Sequence, residues 1–482
     1  LRHPEMDNTM GNAWIASDES NKSTFQPFRI EDRYLQLRRA GTPRDYEELH
    51  MHAVGDAHLA IRSMRLTSST NNTNFLPNEG REVSTNGDAA NGWLCQGTHY
   101  ASKRVGNEFH LISEGHGDVK ANRCEIDVVP IARNNDLSFR FQARWISGKP
   151  TLVVNTWDRS FGGVIHLPIP KNLGTPGAAN SGTTEIPAPT VTGLRHSPAV
   201  PTSSDAVIIT ARVDSAMPLT SVRVRHRLDN TAGDNAWGMT VMADGGSNGD
   251  EIAGDGIYTA TLAQYQGNNS VVQFYVEATS GGGVSRQPTR APERPALWVV
   301  DNSSVPSDLR TQRFVISERS LNALGGAGES GSFDFAFPRL SNHYFNATFI
   351  SNEQDIIYNC ELRKSGSPWT RSGGSNLSRA KWKTPGDRRF RGYSKRAIDN
   401  DAGGGRAYHN RIIRYWLYLF GHPANENEFV RVIVNGGNAD LREDVEPNAN
   451  DFLKRNWEDG QLGELDRIDD EWGFEDDWSS DN

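Results

Sequence analysis

The sequence predicts a multi-domain, mostly β protein: a jelly-roll β-sandwich, an immunoglobulin-like β-sandwich, then an α+β domain. Three observations carry this. Short runs alternate apolar and polar residues with a period of two, as strands do when one face meets a core and the other water. Turn formers break these runs at close intervals, with 46 Gly and 23 Pro in 482 residues. One extended helical pattern appears, at residues 407–420, and only after residue 310.

At roughly 100–200 residues per domain, this length corresponds to three or four domains. Charged residues at 23% and aromatics at 9% are ordinary for a folded chain, which excludes wholesale disorder. The formal net charge of −9 argues against a general nucleic-acid binder. No apolar run approaches the roughly 18–20 residues of a membrane span. The opening Leu1-Arg2-His3-Pro4 has neither the basic nor the apolar region of a signal peptide, and the last residues interleave aromatics with acids, so the chain reads as a fragment at both ends.

Residues 1–54 read as a partial β module, the end of one that precedes. Residues 55–172 carry alternating runs at 58–62, 108–112 and 137–145 and read as the first sandwich. A Gly/Pro linker follows at 173–187. Residues 188–298 hold runs at 207–213, 221–227 and 271–278, and their size and strand density suit an immunoglobulin-like sandwich. From 310 to 482 strands at 314–317, 345–349 and 429–434 mix with helices. Ile412, Ile413, Trp416, Leu417 and Phe420 form an apolar stripe that predicts an amphipathic helix over 407–420, closed by Gly421 and Pro423. An Asn435-Gly436 turn and a second helix near 450–456 follow.

Three cysteines exclude a disulfide scaffold, and no Cys/His spacing suggests zinc. Cys95 and Cys124 fall in one domain, and two readings stay open: a pair, if the domain is exported, or separate thiols. Cys360 reads as a small core residue. Asp244, Asp250 and Asp255 gather in a glycine-rich stretch. Oxygen ligands on a bent loop suit calcium, and the same Asp-Gly chemistry makes plain hairpin turns. Trp93 and Trp145 offer flat rings for a sugar, or core packing. No G-x-S-x-G elbow, H-E-x-x-H helix or P-loop occurs.

Four blocks carry a resemblance. They are residues 360–371 (ending in Pro368-Trp369-Thr370-Arg371), residues 378–383 (with Lys381-Trp382-Lys383), residues 434–453 (with Asn435-Gly436 and Glu446), and residues 463–472. In order and spacing they resemble the spore-coat CotH kinase-like family. The segment at 91–99 with 141–145 resembles galactose-binding-like jelly-roll modules, the stretch at 237–258 resembles immunoglobulin-like modules of large bacterial surface proteins, and 174–181 is similar to the close of lamin-tail-type modules.

The resemblance implies an atypical protein kinase that uses ATP and Mg²⁺ to phosphorylate secreted or surface proteins. It implies Arg371, Lys381 and Lys383 on the phosphates and Glu446 orienting a lysine or binding metal. Alternation puts both lysines on one strand face, opposite Trp382. The basic residues between 363 and 396 equally read as a solvated face. The family's catalytic and metal-binding aspartates are expected beyond residue 482; Asp469, Asp470, Asp476 and Asp477 are not promoted in their place. The turn also carries Pro368-Trp369 where the family favours small polar residues. The expected protein is thus a piece of an exported, multi-modular bacterial protein, extracellular or on the cell surface, its kinase-like part inactive as it stands. The alternative is a non-catalytic surface protein that binds glycan or mediates adhesion.

Overall fold

The computed structural model describes residues 24–34, 48–84, 89–114, 122–128, 135–156, 161–168, 186–230, 235–247, 249–306, 308–325, 343–365, 377, 379–399 and 408–457. The chain divides into two compact units, residues 1–183 with 325–343 and 470–482, and residues 184–324 with 344–469. The architecture is mostly β.

The first unit packs two five-stranded antiparallel sheets. Its strands are β1 (Gln26–Tyr34), β2 (Glu48–Ala53), β3 (Asp56–Ser68), β4 (Leu94–Cys95), β5 (Lys103–Val105), β6 (Glu108–Glu114), β7 (Cys124–Asp127), β8 (Asn135–Gly148), β9 (Thr151–Thr156) and β10 (Gly162–His166). The sheets run β1-β8-β3-β6-β5 and β10-β9-β2-β7-β4. Alternation works as the sequence predicts: Leu137, Phe139, Phe141 and Ala143 enter the core from β8, meeting Leu49, Met51 and Ala53 from β2. The β8–β9 turn needs a glycine. Gly148 has φ +74°, and a Cβ there would lie 2.1 Å from the Asp56 carbonyl oxygen.

The expected start of this domain at residue 55 is corrected. β1 pairs with β8 from Gln26↔Ala143 to Tyr34↔Asn135, and β2 is the central strand of the second sheet. Without them both sheets would expose core faces, so they belong to this sandwich rather than to a preceding module.

The second unit begins with another sandwich, formed by β11 (Thr190–Ser197), β12 (Val207–Asp214), β13 (Leu219–Leu228), β14 (Gly238–Val241), β15 (Ile257–Leu262), β16 (Val271–Ser280), β17 (Gly283–Gln287) and β18 (Ala296–Val299). One sheet runs β11-β12-β15; the other runs β14-β13-β16-β17, with β18 also on β16. Their faces close over Ile209, Val224, Phe274 and Trp298.

The same unit continues with β19 (Thr311–Ile316), α1 (Glu318–Gly325), β20 (Phe345–Ser351), β21 (Asp355–Lys364), β22 (Ala380–Lys383), β23 (Lys395–Asp399), α2 (His409–Leu419), β24 (Asn427–Val434), β25 (Asp440–Val445) and α3 (Asn450–Asn456). Where the sequence predicts an α+β domain, these seven strands close a barrel in the order β19-β20-β21-β22-β23-β25-β24. A parallel pairing of β19 with β24, Thr311↔Arg431 to Phe314↔Val434, completes the circle. The barrel fills itself: Trp382 stacks on Phe349 with ring centroids 4.3 Å apart, and Phe314 and Phe390 pack against both.

The amphipathic helix that the sequence predicts is present as α2. The stripe on α2 is present, yet it does not face a core: Trp416 is 57% and Phe420 76% exposed, and Ile412 and Ile413 are also exposed. The helix ends as the sequence predicts. Gly421, at φ +73°, takes the left-handed position, and His422 N–H donates back to the Leu417 carbonyl at 2.9 Å.

Sandwich and barrel share apolar contacts among Val271, Leu297, Val299, Val315, Ile350 and Ile356. Tyr358 of β21 reaches into the sandwich, where its hydroxyl accepts from the His196 backbone N–H at 2.9 Å.

Candidate functional site

A cavity of about 720 Å³ opens between α2 and the end of the barrel that carries β23, β24 and α3. Among the described residues, five arginines line it: Arg391, Arg396, Arg411, Arg414 and Arg455. Tyr408, Tyr415 and Tyr418 of the α2 segment supply its flat apolar surface. Helical spacing places these groups. Tyr408, Arg411, Ile412 and Tyr415 fall at i, i+3, i+4 and i+7, one face of α2.

Carboxylates hold four of the arginines in place. Arg414 Nη1 bonds Glu443 at 2.7 Å, Arg391 Nη1 bonds Glu428 at 2.5 Å, and Arg455 Nη2 pairs with Glu446. Arg396 Nε donates to Asp444 at 2.9 Å, where both side chains are buried. Burial raises the Asp444 carboxyl more than Arg396 and Gln312 lower it.

Donor capacity remains. A guanidinium has five N–H groups, and Arg396, only 4% exposed, leaves its buried Nη1 without a partner. Arg411 has no carboxylate among the described residues; its Cζ lies 5.2 Å from the Phe429 ring centre. Beside the cavity, burial and then the hydrogen bond it donates to Glu426 push the Tyr393 hydroxyl up to about 12. Glu426 and Glu428 also line it, Glu428 paired with Arg391 and Glu426 accepting from Tyr393, so the described lining offers more cations than carboxylates, with phenol rings and amides. These are groups for holding an anion with a flat body.

No protein-family model matches the chain, and no curated protein matches it. Among solved structures, a DUF4785 family protein from Legionella pneumophila subsp. pneumophila str. Philadelphia 1 is similar at 10% identity, over 71% of this chain and 72% of that one. The TM-score is 0.15, so the likeness carries no argument about fold or function.

The residues predicted from sequence scatter. Lys381 and Lys383 share the outward face of β22 with Trp382 inside, as alternation requires, and Lys383 Nζ sits 3.9 Å over the Tyr344 ring. Neither lysine lines the cavity. Glu446 is 1% exposed and spends its carboxylate on Arg455 and the Glu426 N–H. Arg371 lies outside the described residues, as do Asp469, Asp470, Asp476, Asp477 and nearly all of the expected linker. Among the described residues, no contact joins the lysines to Glu446.

Asp244, Asp250 and Asp255 do converge, with one carboxylate oxygen from each inside a 4.8 Å cluster. Loop N–H groups already serve them: Gly254 and Gly256 donate to Asp244 at 2.6 and 3.0 Å, and Gly246 to Asp250 at 2.6 Å. Trp93 is fully buried, stacked on Phe109, with Nε1 donating to the Gly80 carbonyl at 2.8 Å. The expectation of sugar contact at Trp93 is therefore corrected, because no ring face is open. Trp145 is half-buried against the core, and its Nε1 donates to Gly148 at 2.8 Å.

Sequence reading missed the arginine cavity. The signal is partly visible: Arg391 and Arg396 belong to the basic run at 363–396, which from sequence reads equally as a solvated face. Arg411, Arg414 and Arg455 come from helices whose packing the sequence does not reveal.

Proposed function

We propose that this is a modular surface protein that acts by binding, and that its barrel receives an organic anion in the arginine- and tyrosine-lined cavity. The ligand class is a flat or ring-shaped body bearing carboxylate or phosphate, an acidic glycan being the natural case. The observation that carries this reading is Arg396: a buried guanidinium with an unspent donor on a cavity where carboxylates pre-position Arg391, Arg414 and Arg455. Jelly-roll and immunoglobulin-like character for the two sandwiches, and an extracellular or cell-surface setting, belong to the same reading. So does calcium at Asp244, Asp250 and Asp255, supported by their convergence.

A second reading keeps the kinase-like expectation, with ATP and Mg²⁺ as the bound pair and a secreted protein as acceptor. The cavity favours it in one respect, since a nucleotide is also a flat-bodied polyanion. Titration calorimetry with a uronic-acid oligosaccharide, its neutral counterpart, and ATP with and without Mg²⁺ separates the readings. The binding proposal predicts that an anionic ligand binds, that the neutral sugar does not, and that no label passes from ATP to a protein acceptor. Transfer of label would establish the second reading; failure of every anion would remove both.

A further inference from the structure

The outer face of the β10-β9-β2-β7-β4 sheet carries a layer of buried polar side chains that the proposed function does not use. Leu49, Met51 and Ala53 of β2 point into the core, so Glu48, His50 and His52 point the other way. On the neighbouring strand, His50 pairs directly with Glu125. His50 is 1% exposed and Glu125 7%. His50 Nε2 lies 2.9 Å from Glu48 Oε2 and 4.0 Å from Glu125 Oε2. One ligand atom from each of the three falls within 4.8 Å of the other two.

Gln96 supplies an independent sign. It is 1% exposed, and its amide Nε2 donates to Glu125 Oε1 at 2.8 Å. Its Oε1 is buried with no hydrogen-bond partner. An orphaned acceptor of this kind in a buried polar layer calls for a donor or a cation. We propose that Glu48, His50 and Glu125, with the Gln96 amide oxygen or a water as fourth ligand, form a site for a divalent transition-metal ion of the zinc type.

The donor set fits. Imidazole nitrogen with carboxylate oxygens suits zinc, and ligands at about 2.0–2.1 Å in a tetrahedron stand roughly 3.3 Å apart. The 2.9 and 4.0 Å separations bracket that value, so side-chain adjustments on the order of an ångström close the site. Arg123 donates to Glu125 Oε2 from Nε at 2.7 Å and from Nη2 at 2.6 Å. It acts as the outer partner that orients a ligating carboxylate. Glu48, with a side chain 20% exposed, gives an ion its path from solvent.

The test uses the full chain, stripped with chelator and dialysed. Zn²⁺ is titrated by calorimetry, and Co²⁺ is followed by its visible absorption as a spectroscopic stand-in. The proposal expects one Zn²⁺ per chain at this site and a Co²⁺ spectrum with nitrogen–oxygen ligation. His50→Gln and Glu48→Gln should each weaken zinc at least tenfold and alter the spectrum. Glu79→Gln, an exposed carboxylate outside the cluster, should leave both unchanged. Glu48→Gln is the safer variant for folding, because Glu48 is the most exposed of the three. Absence of zinc binding by the wild-type chain overturns the proposal. So does zinc affinity within twofold of wild type in the folded Glu48→Gln variant.

Discussion

Asp301→Asn removes one charge, keeps the side-chain shape, and strikes the joint between the second sandwich and the barrel. The Asp301 carboxylate accepts from Arg313 Nη1 at 2.7 Å, and both side chains are 1% exposed. Arg313 also bonds Glu353, with Nη2 at 2.7 Å, and donates to the Asn435 carbonyl at 2.5 Å. Removing one partner of a buried pair costs about 3–5 kcal/mol, because the survivor keeps an uncompensated charge. Glu353 is 26% exposed and still faces the guanidinium, which places the loss at the low end, about 3 kcal/mol. In a unit of this size 1 kcal/mol moves Tm by roughly 2–4 °C, so the melt should fall by roughly 6–12 °C.

Scanning calorimetry across pH adds a sign to the test. Burial alone would raise the Asp301 carboxyl; hydrogen bonds from Ser303 and Arg313 outweigh it and hold the group below the usual carboxylate range. A depressed folded value contributes stability in full above the unfolded pKa, near 4, and loses it as pH falls through the folded value. The gap between wild type and Asp301→Asn should therefore be constant from neutral pH to about 5 and shrink in acid. A fall in Tm under 2 °C, or a gap that persists unchanged into strong acid, would refute the reasoning.

Three further outcomes follow from the same contacts. The Cys95 and Cys124 sulfurs lie 2.7 Å apart on paired residues of β4 and β7; mild oxidation should join them, leaving Cys360 as the one thiol titrated after unfolding. Closing that loop should stabilise the first unit by about 3.6 kcal/mol on the chain-entropy model, and three thiols after oxidation would contradict it. Trp93→Ala, which empties a fully buried site, should cost about 3–5 kcal/mol in urea unfolding, and a loss under 1 kcal/mol would show the ring is not core. Calcium should raise the Tm of the second unit in wild type and not in Asp250→Asn; an equal shift in both would place calcium elsewhere.

Much of the fold was legible because a period of two leaves little freedom once a sheet face must be buried. The alternation at 137–145 became β8, and that at 207–213 became β12. Lys381 and Lys383 took one face opposite Trp382 for the same reason. What alternation does not encode is which strands meet. From sequence the residues before 55 read as the end of another module, because β1 and β2 are recognisable only through their partners β8 and β7. The stripe on α2 fixed a helix, but not whether a core remained for it to cover. The candidate cavity needs Arg391 and Arg396 from the barrel, Arg411 and Arg414 from α2 and Arg455 from α3, across up to 64 positions of sequence. No local spacing announces such a set.

The central claim, that the cavity holds an organic anion through its arginines, turns most directly on Arg411→Ala. This residue is exposed and, among the described residues, has no carboxylate to abandon, so its loss should leave Tm unchanged. Losing one charged hydrogen bond to the ligand, about 1.5 kcal/mol, should raise Kd for the bound anion roughly tenfold. An unaltered Kd in a variant that melts like wild type would contradict the account.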